Sequence, residues 1–177
     1  EVGALQLKAG WNLVSVPKEL SDDYDTPKEL FDIQTGEGVW YWNASAKEFE
    51  HLSPTNDTIE PGKGYWVYKK ADYNVTPEFK APDPFQLPPE IPLETGWNMI
   101  GHMDTKPVNV STALGSLIVN GYAKYSKILW WNTSTSPHKW DVCYVDEHGK
   151  PTPDADFTHL EPYKGYLIYM KEPGIYA

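Results

Sequence analysis

A chain of 177 residues has room for one sizeable core or two small ones, since domains commonly run to roughly 100–150 residues. Its formal charge is −10, with lysines scattered among acids, which excludes the concentrated cationic surface that nucleic acid requires. The aromatic share of 14%, with 8 Trp and 12 Tyr, stands beside 16 Pro and 13 Gly, a palette that excludes long helices and favours short strands joined by turns.

No apolar run approaches the roughly 20 residues that span a bilayer as a helix, so no transmembrane segment is expected. The sequence starts at Glu1 without a basic and apolar leader, as a processed or excised chain would.

In chain order, Glu1 to Leu7 places Leu5 and Leu7 on one face of an extended segment. Gly10 permits a tight turn, and Trp11, Leu13 and the following residues read as a strand ending at Pro17. Asp25-Thr26-Pro27-Lys28-Glu29-Leu30-Phe31 carries an N-cap candidate with Pro near the first helical position and predicts one short helix. Val39 to Trp42, a turn at Asn43-Ala44-Ser45-Ala46 and Lys47 to Leu52 read as a hairpin. A Pro61-Gly62-Lys63-Gly64 turn then leads into the strand Tyr65-Trp66-Val67-Tyr68. Pro77, Pro82, Pro84, Pro88, Pro89 and Pro92 follow, a density that predicts a stiff, extended linker.

Beyond the linker the pattern returns. Leu7-Lys8-Ala9-Gly10-Trp11-Asn12-Leu13-Val14 matches Leu93-Glu94-Thr95-Gly96-Trp97-Asn98-Met99-Ile100, and Val39-Trp40-Tyr41-Trp42-Asn43-Ala44-Ser45 matches Ile128-Leu129-Trp130-Trp131-Asn132-Thr133-Ser134. Ile59-Glu60-Pro61-Gly62-Lys63-Gly64-Tyr65-Trp66-Val67-Tyr68 matches Leu160-Glu161-Pro162-Tyr163-Lys164-Gly165-Tyr166-Leu167-Ile168-Tyr169. Three blocks in one order indicate an internal duplication. The expected organisation is a first β module at 1–80, a Pro-rich linker at 81–92 and a second β module at 93–177 with an inserted strand near 138–146. Asn109 to Leu117 supplies the second helix. The expected fold class is all-β with one short helix per copy, as two tandem small β-sandwich or barrel-like modules. Trp11 and Trp97, at matching positions, are expected to be buried at the centre of each core.

Five sequons, at Asn43, Asn56, Asn74, Asn109 and Asn132, point to an exported glycoprotein. Asn43 and Asn132, each following a strand at a hairpin turn, are the first expected glycan carriers. Cys143 is the single cysteine, so no internal disulfide forms. By alternation it shares a face with Asp141 and Val145, which leaves either an intermolecular disulfide or a small buried apolar residue.

The histidines His51, His102, His138, His148 and His159 fall in no metal-ligand spacing, and no nucleophile elbow or phosphate loop occurs. The carboxylates Asp141 and Asp146, or Glu60 and Glu161, have no spacing that marks a glycosidase pair. Asp22-Asp23-Tyr24-Asp25 and Asp154-Ala155-Asp156 offer oxygen ligands to Ca²⁺ without the loop pattern of an EF-hand. No enzyme and no cofactor are expected.

These blocks resemble a repeat of archaeal cell-surface proteins, among them S-layer-like and sheath-forming proteins of methanogens. There a Gly-Trp-Asn opening strand, a Trp-Tyr strand with a following Asn and a closing Pro-Gly-Lys-Gly-Tyr-Trp-Val strand recur in tandem. In the second copy Tyr163 stands for Gly62 and Leu167 for Trp66, which departs from the pattern. The resemblance implies a place at the cell exterior and no catalytic residues. The expected function is that of a structural subunit of a self-assembling surface layer, sheath or filament, whose partners are copies of itself or other surface proteins. Edge pairing through Glu1 to Leu7 and Gly165 to Met170 would hold the assembly together. A carbohydrate-binding or adhesion module, with glycans as partners, is the alternative, and a passive spacer the third reading.

Overall fold

The computed structural model describes residues 5–177. Its strands are β1 (Leu5–Leu7), β2 (Gly10–Val14), β3 (Gly38–Asn43), β4 (Glu48–His51), β5 (Tyr65–Lys69) and β6 (Tyr73–Val75), then β7 (Ile91–Leu93), β8 (Gly96–Gly101), β9 (Val108–Asn109), β10 (Ile118–Val119), β11 (Tyr122–Ala123), β12 (Tyr125–Asn132), β13 (Lys139–Tyr144), β14 (His159–Leu160), β15 (Gly165–Met170) and β16 (Gly174–Tyr176). Two short helices, α1 (Pro27–Phe31) and α2 (Val110–Ala113), complete the chain, so the fold class is all-β. None of the sheets closes into a barrel, and no helix among the described residues is long and apolar enough to cross a membrane.

Each half starts on a turn that its Gly-Trp-Asn sequence builds. Gly10 and Gly96 take φ of 100° and 96°, a region where a side chain would be strained. Two residues on, a buried Asn closes the turn. Asn12 Oδ1 accepts the Lys8 N–H at 2.9 Å and its Nδ2 donates to Lys8 O at 2.8 Å. Asn98 repeats both bonds with Glu94, at 3.0 and 2.8 Å. The shape the two turns share thus comes from a side chain that satisfies buried backbone groups.

The helices form where capping chemistry allows. Thr26 accepts the Glu29 N–H through its hydroxyl, Pro27 occupies the first turn, and Asp32 ends α1 in the left-handed region at φ 49°. Asn109 caps α2 by accepting the Ser111 N–H, and a 3-10 turn at Gly115–Leu117 continues it.

The first four-stranded sheet runs β2-β5-β3-β4 and the second runs β8-β15-β12-β13, antiparallel throughout. A two-stranded ribbon accompanies each, β1-β6 and β7-β16. One core gathers Leu5, Leu7, Leu30, Phe31, Val39 and Val67, and the other Leu114, Leu117, Ile128, Cys143, Tyr166 and Ile168.

Several expectations are corrected by this arrangement. Strand β13 occupies the sheet position that β4 holds in the first half, so Lys139–Tyr144 is a counterpart and the additional residues of the second half fall mostly after it. Strand Gly165–Met170 is apolar because it lies inside its sheet between β12 and β8 and so is no free edge, whereas β1 pairs only with β6, its Leu5 and Leu7 side chains buried against their own core. Residues 1–4 of the first expected segment lie outside the described ones. Ile91–Leu93 already pairs with β16, which shortens the linker to a strap ending before Ile91. Cys143 is fully buried opposite Ile128, on the core face of β13. Burial pushes its thiol up to about 12, and a sulfur in that place cannot meet another chain while the fold is closed.

The two halves meet through matching backbone contacts. Ser15 N–H donates to Tyr163 O at 2.9 Å, and Gly101 N–H, at the matching place, donates to Gly62 O at 3.0 Å. Ser15 also donates its hydroxyl to Lys164 O at 2.7 Å. Bridges Val14↔Lys164 and Lys63↔Ile100 complete the pattern. A Cβ on Gly64 would stand 2.6 Å from Ile100 O, and one on Gly165 would stand 2.7 Å from Val14 O. Only glycine permits that approach.

Candidate functional site

Alternation along each strand gives every sheet a second face, turned away from its core. In the first half that face carries Trp11 and Leu13 on β2, Trp66 and Tyr68 on β5, Trp40 and Trp42 on β3, and Phe49 and His51 on β4. The second half presents Trp97, Met99, Leu129, Trp131, Trp140 and Leu167 in the same way. Leu13 and Met99 are buried, at 2% and 1% exposure, yet belong to neither core. These faces are turned toward each other: the Trp42 indole N–H donates to Trp97 O at 2.9 Å, and the Trp66 ring lies 6.5 Å from Trp131 and 5.8 Å from Trp140.

Where the facing sheets part, they leave a cleft of about 560 Å³ lined by Trp11, Trp40, Phe49, Trp66, Trp131 and Trp140. Register explains the grouping. Trp66 lies opposite Leu13 on one side and Trp40 on the other, Trp40 opposite His51, and Trp131 opposite Trp140. The rings tile by edge and tilted contacts: Trp11 to Trp40 at 5.1 Å, Trp11 to Trp66 at 6.1 Å and Trp131 to Trp140 at 5.1 Å. Behind Trp40 the His51 ring stacks at 4.6 Å. The Trp131 indole N–H is buried with no hydrogen-bond partner among the described residues. No charged side chain lines the cleft.

The expectation that Trp11 and Trp97 centre the two cores is overturned. Trp11 is 43% exposed on the cleft wall, and Trp97 is half-buried, edge-on to Tyr169 at 5.2 Å, with the Lys127 ammonium 5.3 Å above it. Alternation could have found this, because Asn12 and Asn98 must face the turns they close and so send their Trp neighbours outward.

The sequons divide. Asn132 is buried and donates through Nδ2 to Asp141 at 2.9 Å, and Asn43 is half-buried and donates to Glu50 at 2.7 Å. A glycan is attached through that nitrogen, so at the two positions first expected to carry sugar the amide nitrogen is already a hydrogen-bond donor within the fold. Asn56, Asn74 and Asn109 are exposed, Asn109 as the cap of α2.

A wider hollow of about 1220 Å³ lies beneath the strap and is open to solvent. Its lining is acidic on balance, with Lys80 paired to Glu19 at 2.7 Å and Asp22 at 2.9 Å, and Lys63 to Glu60 at 2.7 Å. Lys80 and Gln86, both bonded to Glu19, hold its carboxyl below the usual range, and burial pushes that of Asp25 up. Asp156 accepts the Val142 N–H at 2.8 Å. Neither acidic stretch converges, and no group of three or more His, Cys, Asp or Glu that could hold a metal occurs among the described residues.

No protein-family model, curated protein or solved structure matches this chain.

Proposed function

We propose that the chain is a structural protein of the cell exterior, built from a duplicated β module, whose work is association through the aromatic cleft rather than catalysis. Support for the duplication comes from the three sequence blocks, the shared sheet order and the matching Asn12 and Asn98 turns. The exterior location rests on the sequons, the acidic surface and the resemblance to archaeal surface repeats, and fits surface-layer or sheath material.

One observation carries the reading, with the second half acting as an internal control. At the positions of Trp40 and Trp66 it has Leu129 and Leu167, so this fold does not need tryptophan there. Both of the first half's extra indoles line the cleft. Large aromatic surface left open where an aliphatic residue suffices is a binding surface. A cleft of this size falls within the roughly 300–1,000 Å³ of ligand sites. Light scattering over a concentration series of the purified chain tests the proposal. Mass that grows with concentration supports association, and a constant monomer mass contradicts it.

A second reading, glycan binding, is favoured by the indole faces themselves, which suit the flat faces of sugars. It has less support from the lining, where the rings bring no charged or amide side chain to grip hydroxyls.

A further inference from the structure

We infer that the aromatic cleft of one copy receives the strap of a second copy, with Phe85 and Leu87 as the inserted side chains. This rests on the proposed self-association and names its contact.

The strap is built to display those two residues. Asp83 Oδ1 accepts the Phe85 N–H at 2.9 Å and Asp83 O accepts the Gln86 N–H at 3.1 Å, which shapes a turn. Gln86 is tied by its side chain to Glu19, and the same Glu19 holds Lys80. Between these ties and the prolines the segment is fixed with its intervening side chains outward: Phe85 is 91% and Leu87 85% exposed, the highest values among the exposed large hydrophobic residues. No described residue of their own chain covers them.

The two surfaces match in chemistry. From Pro84 to Pro89 the strap carries no charge, and neither does the cleft lining. Glu48 and Glu50 alternate with Phe49 and so point to the other face of β4. Aromatic-lined grooves take proline-rich segments because these are already extended and lose little entropy on docking.

Geometry makes the contact intermolecular. Strap residues line the charged hollow beneath them, and none lines the cleft. Joining two different patches of identical chains is a heterologous contact, which propagates into open strings or closes into rings. That is the behaviour of a filament or layer subunit.

A peptide spanning residues 82–90, titrated into the chain and followed by tryptophan emission, together with sedimentation velocity of two variants, tests the inference. Phe85→Ser/Leu87→Ser alters only exposed side chains and leaves the cleft intact. It should sediment as a monomer and still bind the peptide, whereas Trp40→Leu/Trp66→Leu should bind the peptide more than tenfold more weakly. Mixed in equal amounts, the two variants should form a dimer that grows no further, since one supplies the only working strap and the other the only unaltered cleft able to accept nothing more. More directly, a peptide with Ser at both positions should bind more than tenfold more weakly than the native one. A Phe85→Ser/Leu87→Ser chain that assembles like wild type overturns the strap as partner while leaving self-association standing. Wild type that stays monomeric overturns both readings, and saturable oligosaccharide binding without peptide binding gives the cleft to glycans instead.

Discussion

Lys69 is the charge that the first core cannot do without. Its ammonium is buried with Glu37, their side chains 5% and 4% exposed, and sits 2.9 Å from Glu37 Oε1, 2.9 Å from Phe31 O and 3.0 Å from Asp32 O. The Tyr73 ring covers it at 4.7 Å. In the second half the matching position is Met170, fully buried, so the fold accepts an apolar residue there if no carboxylate faces it. Lys69→Met strands Glu37 without its cation, a loss of about 3–5 kcal/mol for a buried pair broken on one side. At the 2–4 °C per kcal/mol of chains this size, the melting temperature should fall by roughly 6–20 °C. Adding Glu37→Gln removes the stranded charge, and the double variant should melt above Lys69→Met, read by circular dichroism as a double-mutant cycle. The pH dependence carries the same signature. Burial pulls the Glu37 carboxyl up, but the Lys70 N–H, the Lys69 ammonium and the Gln34 N–H outweigh it and hold it below the ordinary value of 4.5. A depressed folded value means stabilisation that is present above that ordinary value and lost as pH falls through the folded one. Lys69→Met should flatten this acid limb. A wild-type melting temperature for Lys69→Met, or a double variant no more stable than the single, would refute the reasoning.

Other consequences follow from the junction, the thiol and the cleft. Gly165→Ala places a Cβ 2.8 Å from Val14 N and 2.7 Å from its carbonyl oxygen, and should cost about 1–3 kcal/mol in denaturant unfolding. Gly115→Ala, with nothing within 4 Å, should cost far less, and equal losses would contradict the close-approach argument. Cys143 should resist a thiol reagent at pH 8 in the folded chain and react at once in guanidinium; prompt labelling of the native protein would contradict its burial. Trp40→Leu/Trp66→Leu should unfold within about 1.5 kcal/mol of wild type per site, since Leu129 and Leu167 serve the same fold. A loss of 3–5 kcal/mol per site, as for a core aromatic, would make these indoles packing rather than binding surface.

Much of the secondary structure was legible because its signals are local. Thr26-Pro27 starts α1, Asn109 starts α2, and the turn at Asn43 makes the β3-β4 hairpin where the sequence places it. The faces were not legible, because alternation sorts side chains into two sets without saying which set meets a core. On β5, Tyr65 and Val67 face one way and Trp66 and Tyr68 the other, and both sets are apolar enough to be buried. Cys143 shows the same ambiguity. Its grouping with Asp141 was correct, but Asp141 is bonded to Asn132 at the end of the hairpin, which lets a polar residue sit on the core face. The counterpart of β13 was hidden by composition, since β4 is exposed along its whole length and shares little with Lys139–Tyr144. The cleft arises from packing between the two four-stranded sheets, a non-local contact that no single sequence block encodes.

Electron microscopy of the purified chain, beside Trp40→Leu/Trp66→Leu at the same concentration, tests most directly the claim that the cleft exists for assembly. Wild type should give strings, rings or sheets of repeating particles, and the variant separate particles of unchanged fold. Wild type dispersed as single particles, or a variant that assembles just as well, would contradict the account.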